Sequence, residues 1–269
     1  MKPLIHFAHA NGVPSRVYTA FFEALSDDYD VVYLPEIGTD PKYPISNHWT
    51  HLVTQVIDSV ERQAKGRPVI AMGHSLGGLL SFMASYRRPE LFSQLIMLDP
   101  PLINGFPSLG IHLAKLLNQS YVDKLTPAGI SINRRDHWDS REQAAEKLRA
   151  RGFFAHFDPR CFDDYIQYGL SDDPIRGGVT LTIPKMAEVE IFRTNPSLFW
   201  LKPRRAPKIP VKLVVGQDSQ FLERGFPQRV KRLLGIEYII TGGGHMFPLE
   251  HPLPVARLVK QLIVEQQQK

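Results

Sequence analysis

Cysteine is almost absent from the 269-residue chain. Cys161 is the single one, so no disulfide can form within the chain and a disulfide-stapled fold is excluded. A reducing, cytoplasmic compartment fits this usage, and Cys161 itself reads as a small apolar filler rather than a reactive thiol. Long hydrophobic runs are missing as well: no segment reaches the ~18 apolar residues of a membrane span. The first expected strand, 4–7, leaves no room ahead of it for a charged, cleavable leader. Charge of one sign is not concentrated. Lysine and arginine number 32 against 27 acidic residues, a net charge of +5. The basic residues occur as scattered pairs such as Arg87-Arg88, Arg134-Arg135 and Arg204-Arg205, which suit a solvated surface and not a nucleic-acid groove. Histidine and acidic spacings give no metal-ligand pattern, and Gly177-Gly178 lacks the Lys-Ser/Thr continuation of a phosphate loop. No cofactor and no metal are therefore expected. The sequon Asn118-Gln119-Ser120 stands without a secretion signal and is read as chance, and only the tail Gln266-Gln267-Gln268-Lys269 is of low complexity.

What the chain does have is an ordinary globular composition, 43% hydrophobic and 22% charged, and enough length for one large domain, with or without an insertion. Short, nearly continuous apolar runs at 4–7, 31–34, 69–72, 95–98, 211–215 and 238–240 read as buried parallel strands. Helical patterns lie between several of them. One covers 17–25. Ser46 is placed to cap another, with Leu52, Val53, Val56, Ile57 and Val60 on one face. A last helix begins at Pro252, with Val255, Leu258, Val259, Leu262 and Ile263 as its stripe. This alternation predicts an α/β fold with a doubly wound, mainly parallel sheet.

The alternation stops between residues 101 and 206. That stretch holds helix-like pieces at 112–125, 140–151 and 160–168 with no clear strand series. Asp99-Pro100-Pro101 and the segment from Pro203 to Pro210, both rich in breakers, bound it. The expected organisation is a core made of 1–100 and 207–269, with 101–206 inserted as a helical lid. Aromatic residues are plentiful there (Phe153, Phe154, Phe157, Phe162, Tyr165, Tyr168, Phe192, Phe199, Trp200). Most are expected to pack the lid itself, the remainder favouring an apolar acyl group. Arg134-Arg135 and Arg193 read as solvated before they read as carboxylate binders.

The stretch Val69 to Ala84 carries the chemistry. Gly73-His74-Ser75-Leu76-Gly77 is a Gly-x-Ser-x-Gly motif between a strand and a helix, the setting in which the serine sits on a sharp turn with its hydroxyl clear of the sheet. A serine hydroxyl is a weak nucleophile and needs a base, which in turn needs an orienting group. His245, after Gly242-Gly243-Gly244, is the expected base, with His251 as its rival. Asp218, after the strand 211–215, is the expected acid, with Asp99, after the strand 95–98, as the alternative. The backbone N–H of Leu76 is one expected oxyanion donor; the second should come from the loop Phe7-Ala8-His9-Ala10-Asn11-Gly12-Val13-Pro14.

With these parts in order, the sequence resembles the α/β-hydrolase superfamily over essentially everything outside the lid. His9-Ala10-Asn11-Gly12 is similar to that family's His-Gly-x loop with alanine replacing glycine, which implies Asn11 as the second oxyanion donor. Family members often carry two strands before this loop; here there is one, so a six-stranded, all-parallel sheet is expected. A serine at position 75, not an aspartate, argues against dehalogenase and epoxide hydrolase chemistry. The resemblance implies a serine esterase or lipase acting on a small-molecule ester through Ser75, Asp218 and His245. Carbon-carbon bond hydrolases, perhydrolases and non-turnover receptors on the same fold are the alternatives.

Overall fold

The computed structural model describes residues 2–202 and 204–267. Pro203, at the expected lid boundary, and Gln268 and Lys269 of the polar tail lie outside the described residues. The first half of the chain builds β1 (Leu4–Ala8), α1 (Thr19–Leu25), β2 (Asp30–Tyr33), α2 (Thr50–Ala64), β3 (Val69–His74), α3 (Leu76–Arg87) and β4 (Phe92–Leu98). The segment after β4 carries α4 (Phe106–Leu117), α5 (Gln119–Leu125), α6 (Ala128–Ser131), β5 (His137–Trp138), α7 (Arg141–Arg149), α8 (Gly152–Ala155), α9 (Pro159–Tyr168), β6 (Leu170–Asp172), β7 (Val179–Leu181), α10 (Lys185–Arg193) and α11 (Ser197–Leu201). The chain then returns through β8 (Val211–Gly216), α12 (Gln220–Glu223), α13 (Phe226–Leu234), β9 (Tyr238–Thr241), α14 (Phe247–Glu250) and α15 (Pro252–Gln267).

The main sheet has six strands in the order β2-β1-β3-β4-β8-β9, and every pairing is parallel. All six correspond to the apolar runs in the sequence. In the central strands β1, β3, β4 and β8 the runs are nearly unbroken because both faces of the sheet are covered there, while the edge strands β2 and β9 are only partly buried. Along β3 and β4, Ile70, Met72, Ile96 and Leu98 face one apolar cluster, and Val69, Ala71, Leu95 and Met97 face the other. The first cluster is closed by α1 and α15, the second by α2, α3 and α13.

Three local expectations are corrected. Ser46 does not cap α2: His48 and Trp49 take positive φ values of 64° and 59°, which separates Ser46 from the helix, and its hydroxyl makes no cap bond. The piece expected at 112–125 is two helices, split where Asn118 leaves the helical region and accepts from Ser120 N–H instead. The inserted segment is not purely helical either. It contains a three-stranded antiparallel sheet in the order β5-β7-β6, whose strands of two or three residues are too short to print a period-2 pattern. This part of the insertion is fused to the core: Trp138, Phe154, Phe157, Cys161, Phe162 and Tyr165 belong to the same cluster as Ile5, Phe7 and Val259. Cys161 is fully buried, and burial pushes its thiol up to about 12, as befits a filler.

Candidate active site

At the C-terminal ends of β3 and β4, two adjacent strands stop on residues with unusual backbones. Ser75 has φ 51° and ψ −115°, and Asp99 has φ 42°. Such conformations in non-glycine residues cost free energy and persist only where surrounding structure imposes them. The sheet ladder imposes these: Ser75 N–H donates to the Leu98 carbonyl at 2.8 Å and Asp99 N–H to the Val214 carbonyl at 2.8 Å. The glycines of the motif permit the turn. A Cβ on Gly77 would overlap the Ala8 carbonyl, and one on Gly73 would overlap the Gly77 backbone. Only bare backbone lets α3 start this close to β1 and β3.

His245, on the loop between β9 and α14, lies between the two strand ends. Its Nε2 is 3.0 Å from Ser75 Oγ and its Nδ1 is 2.6 Å from Asp99 Oδ2. A carboxylate only accepts, so Nδ1 carries the hydrogen and Nε2 keeps the lone pair facing the serine. The Asp99 carboxylate is itself held. Ser219 Oγ donates to Oδ2 at 2.6 Å and the Gly216 N–H to Oδ1 at 3.2 Å. Asp99 is buried, whereas Ser75 and His245 are half-buried.

The structure therefore brings together Ser75 and His245 as expected from the sequence, but the acid facing His245 is Asp99, not Asp218. Asp218 is exposed, and its backbone N–H donates to the Gly243 carbonyl at 3.0 Å. The turn after β8 still serves the site, through its neighbour Ser219 and through Gly216. The reason is the strand order. β4 lies between β3 and β8, so a residue ending β4 is nearer the serine than one in the turn beyond β8. His251 is exposed at the end of α14 and takes no part in the arrangement.

The turn after β1 lies beside the elbow. Val13 N–H closes it onto the Ala10 carbonyl at 3.1 Å and Gly77 N–H reaches the His9 carbonyl at 3.0 Å. Gly12 takes φ 74°, and a Cβ there would meet the Glu188 carboxylate at 2.5 Å. Asn11 Nδ2 donates to the Glu188 carbonyl at 3.0 Å, so helix α10 of the insertion braces this turn. Glu188 is buried and accepts from Ser131 Oγ at 2.6 Å while pairing with Arg134 at 2.6 Å. Arg193 is likewise engaged, with Asp123 and Glu190. Leu76 opens α3, where the first N–H groups have no acceptor within the helix. Among the described residues, no three His, Cys, Asp or Glu side chains stand together as metal ligands would. No helix among them is long and apolar enough to cross a membrane.

Among proteins similar in sequence is the "Type I acyl-CoA thioesterase mpaH" of Penicillium roqueforti (strain FM164). It is 34% identical over 183 residues, which cover 62% of this chain and 40% of that protein. The "Abhydrolase domain-containing protein AFT2-1" of Alternaria alternata is 29% identical over 110 residues, 40% of this chain and 35% of that one. The chain thus spans between 35% and 40% of the length of these relatives. Among solved structures, E-2-(acetamidomethylene)succinate hydrolase superposes with a TM-score of 0.75 at 16% identity, covering 98% of this chain and 92% of that one. The thioesterase domain from the curacin biosynthetic pathway gives 0.71 at 18%, covering 96% and 91%. These structures share the fold. Residues 7–258 match the model of the alpha/beta hydrolase family, and the chain belongs to that family.

Proposed function

We propose that this chain is a serine hydrolase that cleaves an ester or thioester carrying a fairly apolar acyl group, through an acyl-enzyme on Ser75. The observation that carries the reading is the continuous chain Ser75 Oγ, His245 Nε2, His245 Nδ1, Asp99 Oδ2, with separations of 3.0 and 2.6 Å at its two links. In this reading Ser75 attacks the carbonyl carbon while His245 Nε2 takes its proton, and Asp99 holds the imidazole and offsets the imidazolium charge. The backbone N–H groups of Leu76 and Asn11 serve the oxyanion, each worth about 3 kcal/mol of barrier. His245 then gives the proton to the departing alkoxide or thiolate, and water, activated by the same nitrogen, releases the acid.

The residues between β4 and β8 act as the cap over this chemistry, with a small organic acyl compound as the partner. A reducing, cytoplasmic setting belongs to the same reading. A thioester is the second substrate class considered, favoured by the 34% identity to an acyl-CoA thioesterase. Turnover tests both classes. A panel of p-nitrophenyl esters from two to sixteen carbons, set beside acyl-CoA thioesters followed by thiol release, should give multiple turnovers that Ser75→Ala abolishes. Equal turnover by wild type and Ser75→Ala would remove the reading.

A further inference from the structure

Two buried side chains beside the elbow are left over by the chemistry above. His74 Nε2 lies 2.8 Å from the His245 carbonyl oxygen. A carbonyl can only accept, so Nε2 bears a hydrogen. In the neutral ring Nδ1 is then a lone pair, and Tyr18 Oη, 2.7 Å away, donates to it. With its hydrogen committed, the Tyr18 oxygen is free to accept, and Ala10 N–H approaches it at 3.3 Å. Every direction in this chain of three bonds is forced by the carbonyl at its end. Tyr18 and His74 are 0% exposed and Ala10 3%, so no bond of the chain is readily exchanged for one to water. Burial, then the nearby His245 and His9, hold His74 well below its ordinary pKa, and burial raises that of Tyr18, in keeping with a neutral ring and a protonated phenol. The rings are fixed by packing, Tyr18 against Phe7 at 4.8 Å and His74 against Phe247 at 6.4 Å.

We propose that Tyr18 and His74 are positioning residues: their hydrogen-bond relay ties the turn after β1, the Ser75 elbow and the His245 loop into one register. Ala10 precedes Asn11, His74 precedes Ser75, and the final acceptor is the carbonyl of His245 itself. Three segments far apart in sequence are therefore held by two side chains at the positions where misplacement by about 1 Å costs on the order of 100-fold in rate. The effect on rate rests on the acyl-transfer reading above; the geometry of the relay does not.

The experiment has two readouts. Nitrogen-15 NMR of histidine-labelled, full-length protein should show His74 as a single neutral tautomer with its hydrogen on Nε2. A hydrogen on Nδ1, or a mixture of tautomers, overturns the relay whatever the activity. The second readout is a double-mutant cycle on the best ester or thioester. Tyr18→Phe should lower kcat roughly tenfold while KM changes less than about twofold. His74→Gln, whose amide nitrogen can keep the donor to the His245 carbonyl while its amide oxygen no longer stands at the Nδ1 position that faces Tyr18, should match Tyr18→Phe, and His74→Leu should lose more. The Tyr18→Phe/His74→Gln double variant should be scarcely worse than either single one. Additive losses, or losses confined to KM, contradict the proposal. Thermal unfolding checks that each variant is folded. If wild type shows no turnover while the tautomer is as stated, the hydrolase reading fails and the relay stands.

Discussion

The strand ends of the main sheet and the outer helices of the insertion settle their side chains in opposite ways. At the sheet edge, polar groups are buried and paired: Asp99 with His245, Ser219 and Gly216 N–H, and His74 with Tyr18 and the His245 carbonyl. Along α4, one face carries large apolar side chains in solvent, with Phe106 89% exposed, Leu116 71% and Leu117 75%. Between these extremes lies the part of the insertion built from α7 to α9, whose aromatic rings complete the core cluster shared with β1 and α15. The difference teaches where the fold demands accuracy. Ser75 and Asp99 sit on strand ends that neighbouring strands fix by backbone hydrogen bonds, whereas the outer face of α4 meets solvent and only its inner face, with Ser108, Ile111 and Ala114, is buried.

Substitutions that break the contrast should scale accordingly. The largest effect belongs to the buried carboxylate: Asp99→Asn should lower kcat/KM about 10⁴-fold by replacing a charged group that only accepts with a neutral amide that can donate to His245 and favour the wrong tautomer. Asp218→Asn, one turn away and exposed, should leave kcat/KM within about twofold; a reversed order would move the acid back to Asp218.

Acid should unfold the protein through its buried histidines. Burial holds His6 and His9 at about 4 instead of 6.5. The unfolded chain therefore binds more protons between those values, and stability falls as pH drops from about 6.5 towards 4. The loss is on the order of 3 kcal/mol for each group. Denaturant midpoints measured across this range should decline steadily below pH 6.5, and a flat profile would mean that these rings are protonated or solvated in the native state.

Packing changes come next. Phe154→Ala, in the fused part of the insertion, should cost about 3–5 kcal/mol by thermal or urea unfolding. Gly77→Ala should cost about 1–3 kcal/mol, because its Cβ must displace the Ala8 carbonyl, and should lower turnover as well. The smallest effect is expected on the bare helix: Leu117→Gln should change stability by less than about 0.5 kcal/mol, sharpening the distinction between fused and outer insertion.

The same distinction explains what could be read from the chain. The central strands β1, β3, β4 and β8 were legible because burial from both sides prints a nearly unbroken apolar run, and the partly exposed edge strands β2 and β9 because their short runs are still β-branched and aromatic. Ser75 and His245 were legible because glycines crowd around them for reasons of close approach and loop geometry. Asp99 was legible only as an alternative, since the choice between it and Asp218 depends on β4 lying between β3 and β8, and lateral strand order leaves no local mark. Ser219 and Tyr18 bond partners distant in sequence, and nothing in their neighbourhoods distinguishes them from ordinary turn or core residues; His74 stands inside the Gly-x-Ser-x-Gly motif, but at a position the motif leaves open, and its partners are distant too. Glu188 is hidden for a further reason: in sequence it is one acidic residue on an amphipathic helix, and its burial appears only when α10 meets the turn after β1.

The most direct measurement is covalent capture. Intact protein treated with a fluorophosphonate should gain one adduct per chain, mapped by peptide mass spectrometry to Ser75, and the rate of capture should collapse in His245→Ala. No adduct, or an adduct on any other side chain, would contradict the account.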